Sequence, residues 1–251
     1  MPLVDCHCHL EDKRFEKDRE EVIERNKKAV NFVVNSGVDF GGNTATLEMH
    51  HEHPEFIHAS LGLAPPLAAE MGDKDVDNIM DLIREHADDV VAIGEVGLDY
   101  HWTKEPKDRE RQAVVLKQFI SLADELGKPL IVHCRDAMPD LLKIIGKNHP
   151  DNVMMHHFSG NEEELKECLD NGFFISLCTG FKDKSLIKLI PLQYTLAETD
   201  SPFNCPMRGK RNEPFFVRDI VALVSTLNEV DATDYIFENA LRFFSVSART
   251  V

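Results

Sequence analysis

Eight apolar runs rich in β-forming residues recur along the chain, and segments with helical periodicity separate them. The runs occupy residues 3–9, 29–37, 56–63, 90–98, 129–134, 152–158, 172–179 and 194–200. Helices are predicted near residues 14–28, 43–53, 73–88, 107–127, 137–148, 161–171, 183–190, 214–227 and 233–246. Alternation of strand and helix predicts a parallel sheet. Eight such units in about 250 residues predict an α/β fold, a (β/α)8 TIM-type barrel, as a single domain over residues 1–251.

Local signals in the sequence agree with the barrel. No glycine-rich fingerprint follows the first run, which weakens the structural alternative of a doubly wound open sheet. Gly127 and then Pro129 end one helix and open the fifth strand. Asn161 is predicted to cap the helix that follows it, because acidic residues fill the first turn of that helix.

The chain is acidic, with a formal net charge of −16 at pH 7. This argues against a protein that holds DNA on a broad basic face, although an enzyme can meet phosphates through a few local cations or bound metal ions. No run approaches the ~18 apolar residues of a membrane span, and the amino terminus lacks a signal-peptide pattern. We therefore expect a cytoplasmic protein with no membrane partner and no obligate protein partner, whose six cysteines are reduced thiols.

Side chains that can bind metals lie at the carboxyl ends of five predicted strands, which is where the chemistry of a barrel sits. They are His7 and His9 on the first strand, Glu95 on the fourth, His133 on the fifth, His156 and His157 on the sixth, and Asp200 on the eighth. A single buried histidine is usually structural, but this set together predicts a site for two divalent ions, with Zn, Mn or Mg as the candidates. Glu95 could bridge the ions, and Asp200 could bind one of them and accept a proton from the attacking water.

The stretch DCHCHL holds four metal-capable side chains in a row. Residues two apart on a regular strand share a face, so His7 and His9 are predicted to face the barrel interior, with Cys6 and Cys8 in the layer between barrel and helices. A structural zinc site on the cysteines ranks below this interpretation, because no CxxC pair supplies further soft ligands. Asp5, predicted on the same face as His7, either orients a histidine or is paired within the barrel.

Six motifs, in order along the chain, resemble those of the TatD-type metal-dependent DNase family within the amidohydrolase superfamily. They are DCHCHL, GEVGLDYHW (94–102), PLIVHCRDA (129–137), HHFSG (156–160), ETDSPF (198–203) and RGKRNEP (208–214). The resemblance runs from residue 5 to residue 214, and the set together is highly specific. It implies a (β/α)8 barrel hydrolase with a divalent-metal centre that cleaves phosphodiester bonds of DNA.

The resemblance also implies a role for each metal-type residue. The implied ligands are His7 and His9 on one metal, Glu95 between the two metals, His133 and His156 on the second metal, and Asp200 on the first. Asp200 is in addition the implied proton acceptor, which makes Asp200 and Glu95 the catalytic pair. The family ligand is the first residue of a motif resembling HCFSG, so His156 is the match. His157 is expected to be structural, because adjacent residues on a strand face opposite ways.

One position departs from the family pattern. After the third strand the family usually shows a GxHP motif whose histidine lies near the substrate. This chain has LGLAPP (61–66) there, with Ala64 at the position of the histidine. A contact to the substrate is therefore missing, which bears on substrate preference and rate and does not touch the implied metal ligands.

Five further residues are candidates for substrate binding. Arg135 and Arg208 are candidate phosphate contacts, with a solvated charge or a salt bridge as the alternative for each. Arg211 is a third, unless it pins the loop after the eighth strand. Tyr100 and Trp102, just past the fourth strand, could stack on an unpaired base or simply form a wall of the pocket.

The leading functional prediction is a metal-dependent deoxyribonuclease that trims single-stranded ends. The first alternative is a hydrolase of a small amide, ester or phosphoester. Superfamily members of that kind often carry a carbamylated lysine where this chain has Glu95, which favours the nuclease. An aminoacyl-tRNA ester deacylase would use the same metals. A barrel that binds metal without catalysis ranks last, because no implied ligand is lost.

Overall fold

The computed structural model describes residues 1–146 and 152–247. Its centre is a sheet of eight parallel strands that are hydrogen-bonded in chain order. The strands are β1 (Val4–Cys8), β2 (Phe32–Gly37), β3 (Ile57–Leu61), β4 (Val90–Asp99), β5 (Leu130–Arg135), β6 (Val153–His156), β7 (Phe174–Cys178) and β8 (Thr195–Glu198). Where the first strand meets the last, the N–H of Asp200 donates to the carbonyl of His7 (3.0 Å) and the N–H of His9 to that of Ser201 (2.7 Å). The sheet is therefore a barrel, as predicted, and not an open doubly wound sheet.

Helices lie between the strands and after the last one. They are α1 (Arg19–Asn26), α2 (Phe40–Glu52), α3 (Pro65–Glu70), α4 (Asp73–Glu85), α5 (Pro106–Leu126), α6 (Met138–Ile145), α7 (Glu162–Asp170), α8 (Lys184–Leu189), α9 (Val217–Asn228) and α10 (Thr233–Phe244). The sequence analysis missed α3, which opens on the two prolines of LGLAPP, where a missing N–H costs a helix nothing. The last part of the helix predicted over 137–148 falls outside the described residues. Asn161 caps α7 as predicted, since its side chain accepts from the backbone N–H of Glu163 and Glu164.

Strand β1 contains a β-bulge. Between the register pairs Asp5–Val33 and Cys8–Asn35, β1 advances three residues while β2 advances two. A bulge breaks the strict alternation of faces. Cys8 packs between barrel and helices, as predicted, whereas Cys6 packs inside the barrel, so the prediction for Cys6 is wrong. After the bulge, the alternation of inward and outward side chains is shifted by one residue. His7 and His9 therefore face the interior, as Cys6 does.

Strand β4 has the same irregularity. Ile93 pairs with Leu130 and Val96 with Val132, so β4 advances three residues while β5 advances two. Ile93 and Val96 both pack in the outer layer. Glu95 therefore turns inward between two residues that face outward, which is a common use of a bulge beside a functional site.

The lower part of the barrel interior is apolar. One cluster draws residues from strands around the barrel and from α10: Val4, Cys6, Phe32, Val34, Ala92, Ile131, Met154, Phe174, Leu196, Ala240, Phe243 and Phe244. Side chains from so many strands can meet only inside the barrel. Helix α10 therefore closes its amino-terminal end, and polar side chains occupy the carboxyl end.

The cysteines take no part in cross-links. All six are free thiols, as predicted, and five of them are buried. Cys205 is the exception, because it lies partly exposed in the loop after β8. Among the described helices, none has the combination of length and apolar character that crossing a membrane requires.

Candidate metal centre

Three ligand atoms converge at the carboxyl end of the barrel. Nε2 of His7 lies 3.1 Å from Nε2 of His9, and Oε2 of Glu95 lies 3.4 Å from the first nitrogen and 3.6 Å from the second. A divalent ion such as zinc, with bonds of about 2.0–2.1 Å to a tetrahedral ligand set, would place neighbouring ligand atoms roughly 3.3 Å apart. The triangle therefore has the size and the donor chemistry of one face of a metal site.

Asp200 completes this side of the centre. It lies just beyond β8 with a positive φ of 53°, and its Oδ1 is 3.4 Å from Nε2 of His9 and 3.9 Å from Nε2 of His7. Its other oxygen, Oδ2, accepts from the side-chain amide of Asn204 (2.9 Å). The carboxylate thus offers one oxygen to the histidines while the other is held in place.

A second group of ligands shares Glu95 with the first. Oε1 of Glu95 lies 3.0 Å from Nδ1 of His133, and His156 offers a ring nitrogen within 4.8 Å of both. Because its two oxygens face different histidines, Glu95 has the arrangement of a bridging carboxylate. All six residues predicted as metal ligands are thus brought together, with Glu95 at the centre.

Outer residues fix the orientation of the rings on β1. Nδ1 of His9 lies 2.8 Å from the carbonyl oxygen of Ser36 and 3.2 Å from Oε1 of Glu11. The hydroxyl of Ser36 lies 3.1 Å from Nδ1 of His7. Each ring therefore presents Nε2 to the centre, since its other nitrogen is already engaged.

Two buried carboxylates that the sequence analysis missed support the other rings. Oδ2 of Asp99 lies 3.1 Å from Nε2 of His133, which leaves Nδ1 of that ring for Glu95. Oε1 of Glu198 lies 2.8 Å from Nδ1 of His156, although the approach is too oblique for a well-aligned hydrogen bond. The sequence signal that could have found these two carboxylates is their closeness to predicted ligands. Asp99 lies four residues after Glu95, and Glu198 lies two residues before Asp200.

His157 does not behave as a strand residue. Strand β6 ends at His156, and His157 follows it with a positive φ of 45°. Its Nδ1 lies 3.3 Å from Oδ2 of Asp200, and its side chain lines the pocket. His157 therefore reaches the rim of the centre through the outer oxygen of Asp200, because alternation of faces ends where the strand ends. That only His156 of the pair serves as a ligand stays a prediction.

The buried carboxylates at the centre lie beside histidine rings that favour their ionised form. Burial alone would raise the pKa of Glu95, but His133 and His7 outweigh it and hold that pKa well below its usual range. Burial likewise opposes the charge on Asp200, yet His157 and His9 lower its pKa. Both carboxylates are therefore ionised near neutral pH and able to bind a cation.

Asp5 takes the second of its two predicted roles. It accepts from both the backbone N–H (2.8 Å) and the hydroxyl of Thr199, which follows β8. Because of the bulge in β1, it does not share a face with His7, and its side chain accepts from backbone N–H groups and a hydroxyl rather than from a histidine ring. Asp5 is therefore paired across the seam between the first and last strands.

The centre lies at the bottom of an open pocket of about 670 Å³. Trp102, with 67% of its surface exposed, and Phe203, with 41%, stand in its wall. An arginine approaches each ring, Arg135 at 5.8 Å from the ring centre of Trp102 and Arg14 at 4.5 Å from that of Phe203. The mouth therefore combines aromatic faces with cations above an acidic interior.

The remaining predicted substrate residues lie outside the pocket wall. Tyr100 donates to Asp140 (3.2 Å) through its hydroxyl. Both terminal nitrogens of the Arg211 guanidinium donate to Asp18 at 2.7 Å, an arrangement that favours pinning the loop after β8. Arg208 is exposed in that loop. Ala64 precedes α3 and donates its N–H to the carbonyl of a pocket residue, Val38 (3.0 Å).

Comparisons with known proteins agree with the geometry. An uncharacterized metal-dependent hydrolase of Methanocaldococcus jannaschii is 36% identical over 251 residues, which cover 97% of each chain. The human deoxyribonuclease TATDN3 is 31% identical over 96% of this chain and 94% of its own. The 3'-5' ssDNA/RNA exonuclease TatD of Erwinia tasmaniensis is 31% identical over 95% of this chain and 97% of its own.

The fold has solved counterparts as well. A TatD homologue from Escherichia coli superposes with a TM-score of 0.88 at 23% identity, covering 98% of each chain. The family model described as TatD related DNase matches residues 4–245. That match spans every strand of the barrel and every residue of the centre described above. The chain therefore belongs to the TatD-related DNase family.

Proposed function

We propose that this TatD-family hydrolase removes nucleotides from the ends of single-stranded DNA, with two divalent ions in its centre. The observation that carries the proposal is the convergence of four histidines on the two oxygens of Glu95, with Asp200 beside them at the base of an open pocket. The donor set of imidazoles and carboxylates fits Zn, Mn or Mg. Ions held there would acidify a water molecule and neutralise charge on a phosphate.

Asp200 is the residue we assign to proton transfer. Its carboxylate is ionised, and its Oδ1 faces the histidines of β1 while its Oδ2 contacts His157. A proton taken up by Asp200 can pass to His157, which is partly exposed to solvent. Glu95, fixed between two groups of histidines, holds the ligand set together and does not need to move.

The mouth suits an unpaired nucleotide. Trp102 and Phe203 present exposed aromatic faces, on which bases stack without regard to sequence. Arg135 stands over Trp102 and has no ion-pair partner among the described residues, so it is free to meet a phosphate. The names of the human and Erwinia relatives support a DNA substrate, and the Erwinia name supports single strands. We place the activity in the cytoplasm, where the thiols found here stay reduced.

The test compares four substrates under one set of conditions. Metal-stripped protein is supplied with Mg²⁺, Mn²⁺ or Zn²⁺ and given linear single-stranded DNA labelled at either end, circular single-stranded DNA, a blunt duplex, and single-stranded RNA. The Asp200→Asn variant is assayed beside the wild type. Asp219→Asn, an exposed change on α9, serves as the matched control.

We expect metal-dependent shortening of the linear single strand, no cleavage of the circle, and loss of at least about 100-fold of the rate in Asp200→Asn alone. Cleavage of the circular DNA would show that the protein is an endonuclease and does not need a strand end. A folded protein that binds its ions and cleaves none of these substrates would contradict the nuclease. It would direct attention to small esters, amides and aminoacyl esters.

A further inference from the structure

A second group of metal-capable side chains lies far from the pocket. It consists of His51 in the last turn of α2, His86 directly after α4, and Asp89 just before β4. Helices of a barrel run back to the amino-terminal ends of the strands, and Asp89 itself stands at the start of one. This group, which we call the basal triad, is therefore at the end of the barrel opposite the candidate centre.

The basal triad converges on a single carboxylate oxygen. Oδ2 of Asp89 lies 3.3 Å from Nε2 of His51 and 3.1 Å from Nδ1 of His86. One atom from each residue lies within 4.8 Å of the other two. Tetrahedral zinc with bonds of about 2.0–2.1 Å would set neighbouring ligand atoms roughly 3.3 Å apart, which matches both contacts to Asp89.

The basal triad is open to solvent, unlike the centre in the barrel. The exposed fractions of the side chains are 53% for His51, 34% for His86 and 36% for Asp89. An ion can therefore enter, and water can complete its coordination. Neighbouring His50 is held apart, because its Nδ1 lies 2.7 Å from the carbonyl oxygen of Ile57.

The surroundings favour a cation at this place. Both histidines lie at the carboxyl end of a helix, where the helix dipole places partial negative charge. The whole chain has a net charge of −16, which attracts divalent ions to its surface. Two imidazoles and one carboxylate are the donor set that zinc, copper and nickel prefer over magnesium or calcium.

We propose that His51, His86 and Asp89 form a second, peripheral site for a transition-metal ion of the zinc type. The ion ties the end of α2 to the turn between α4 and β4, and so fastens two successive units of the barrel at its base. The site stabilises the fold and takes no part in hydrolysis. The proposal does not depend on the identity of the substrate.

The test is zinc stoichiometry of the full chain, measured by equilibrium dialysis against Zn²⁺ followed by metal analysis. The variants are His51→Ala with His86→Ala, and separately the conservative Asp89→Asn. His53→Gln is the matched control, because His53 follows α2 but contacts Glu20 and Lys27 instead of the basal triad. Melting temperature with and without Zn²⁺ and Mn²⁺-dependent DNA hydrolysis are recorded for each protein.

We expect the wild type and His53→Gln to bind one more zinc ion than the double variant, with affinity at this site at least about tenfold weaker in Asp89→Asn. Zinc should raise the melting temperature of the wild type more than that of the double variant. Hydrolysis should be unchanged in all of them. Equal zinc stoichiometry in wild type and double variant would overturn the proposal. If His53→Gln lost as much bound zinc as the double variant, the proposal would also be overturned, since binding would then be unspecific.

Discussion

The two adjacent histidines after β6 illustrate how much depends on single residues. His156 is buried among the ligands, and the carboxylate of Glu198 lies beside its ring. His157 has left the strand and contacts the outer oxygen of Asp200. One residue is thus placed to hold an ion, whereas the other is placed to exchange a proton with solvent.

Replacing these histidines separately should produce different defects. His156→Ala should lower the bound metal by about one ion per chain, since it removes a ligand, while Glu198 keeps its hydrogen bonds from the hydroxyl of Ser176 and the backbone N–H of His157. His157→Ala should retain the metal and lower the rate of hydrolysis by roughly tenfold or more, because Asp200 loses its route to solvent. Metal analysis and pH–rate profiles of both variants check this. If His157→Ala lost the more metal, the assignment of the two rings would have to be exchanged.

At the scale of elements, the sequence predicted more of the fold than of the orientation of its side chains. Every predicted strand exists, and each of the six predicted ligands lies at the centre. The two bulges could not be predicted, because period-2 alternation assumes a regular strand. Simple alternation therefore misplaced Cys6 and left the inward turn of Glu95 unexplained. The missed support from Asp99 and Glu198 has a different origin, since the histidines that they contact lie on other strands.

Strand β4 passes so close to β5 that one position excludes any side chain. A Cβ added to Gly97 would lie 1.9 Å from the carbonyl oxygen of His133, and its φ of +150° is one that other residues rarely adopt. Gly97→Ala should separate the strands and move Glu95 away from His133, at a cost of about 1–3 kcal/mol or more. Urea unfolding and activity measure the effect. In Gly41→Ala the added methyl group meets only ordinary contacts in α2, so stability and activity should both stay close to those of the wild type.

The whole barrel depends on joining its first strand to its last. Asp5, fully buried, accepts from two groups of Thr199 across that seam. Asp5→Ala should lower the free energy of unfolding by about 2–4 kcal/mol, because both donors are left buried without an acceptor. Asp5→Asn retains one oxygen acceptor and should lose less. Chemical denaturation of the two variants provides the comparison, and equal losses would show that the seam does not need this acceptor.

Part of the acid sensitivity of the molecule should come from His58, whose ring packs against Phe32 at the base of the barrel. Burial and the nearby His50 lower the pKa of His58 to about 4. Between the ordinary pKa of about 6.5 and this value, the unfolded chain binds a proton that the folded chain does not, so stability falls as the pH falls. Its contribution is about 2 kcal/mol after allowance for partial exposure.

His58→Gln should therefore flatten the loss of stability between about pH 6.5 and pH 4. Urea unfolding at several pH values, in the presence of a chelator, measures the slope. His101→Gln, at an exposed position beside the pocket, is the control and should keep the slope of the wild type. An unchanged slope in His58→Gln would assign the acid sensitivity to other groups.

Because five of the six cysteines are buried, one thiol of the native chain can be labelled selectively with a fluorescent dye. Cys205 alone of the six is partly exposed, so a thiol-reactive dye should attach there in the native protein. It directly follows Asn204, a residue of the pocket wall, and Trp102, the single tryptophan, stands in the same wall. Energy transfer from Trp102 to a dye on Cys205 would span the mouth. The arrival and departure of a nucleic acid could then be followed by fluorescence without introducing any mutation.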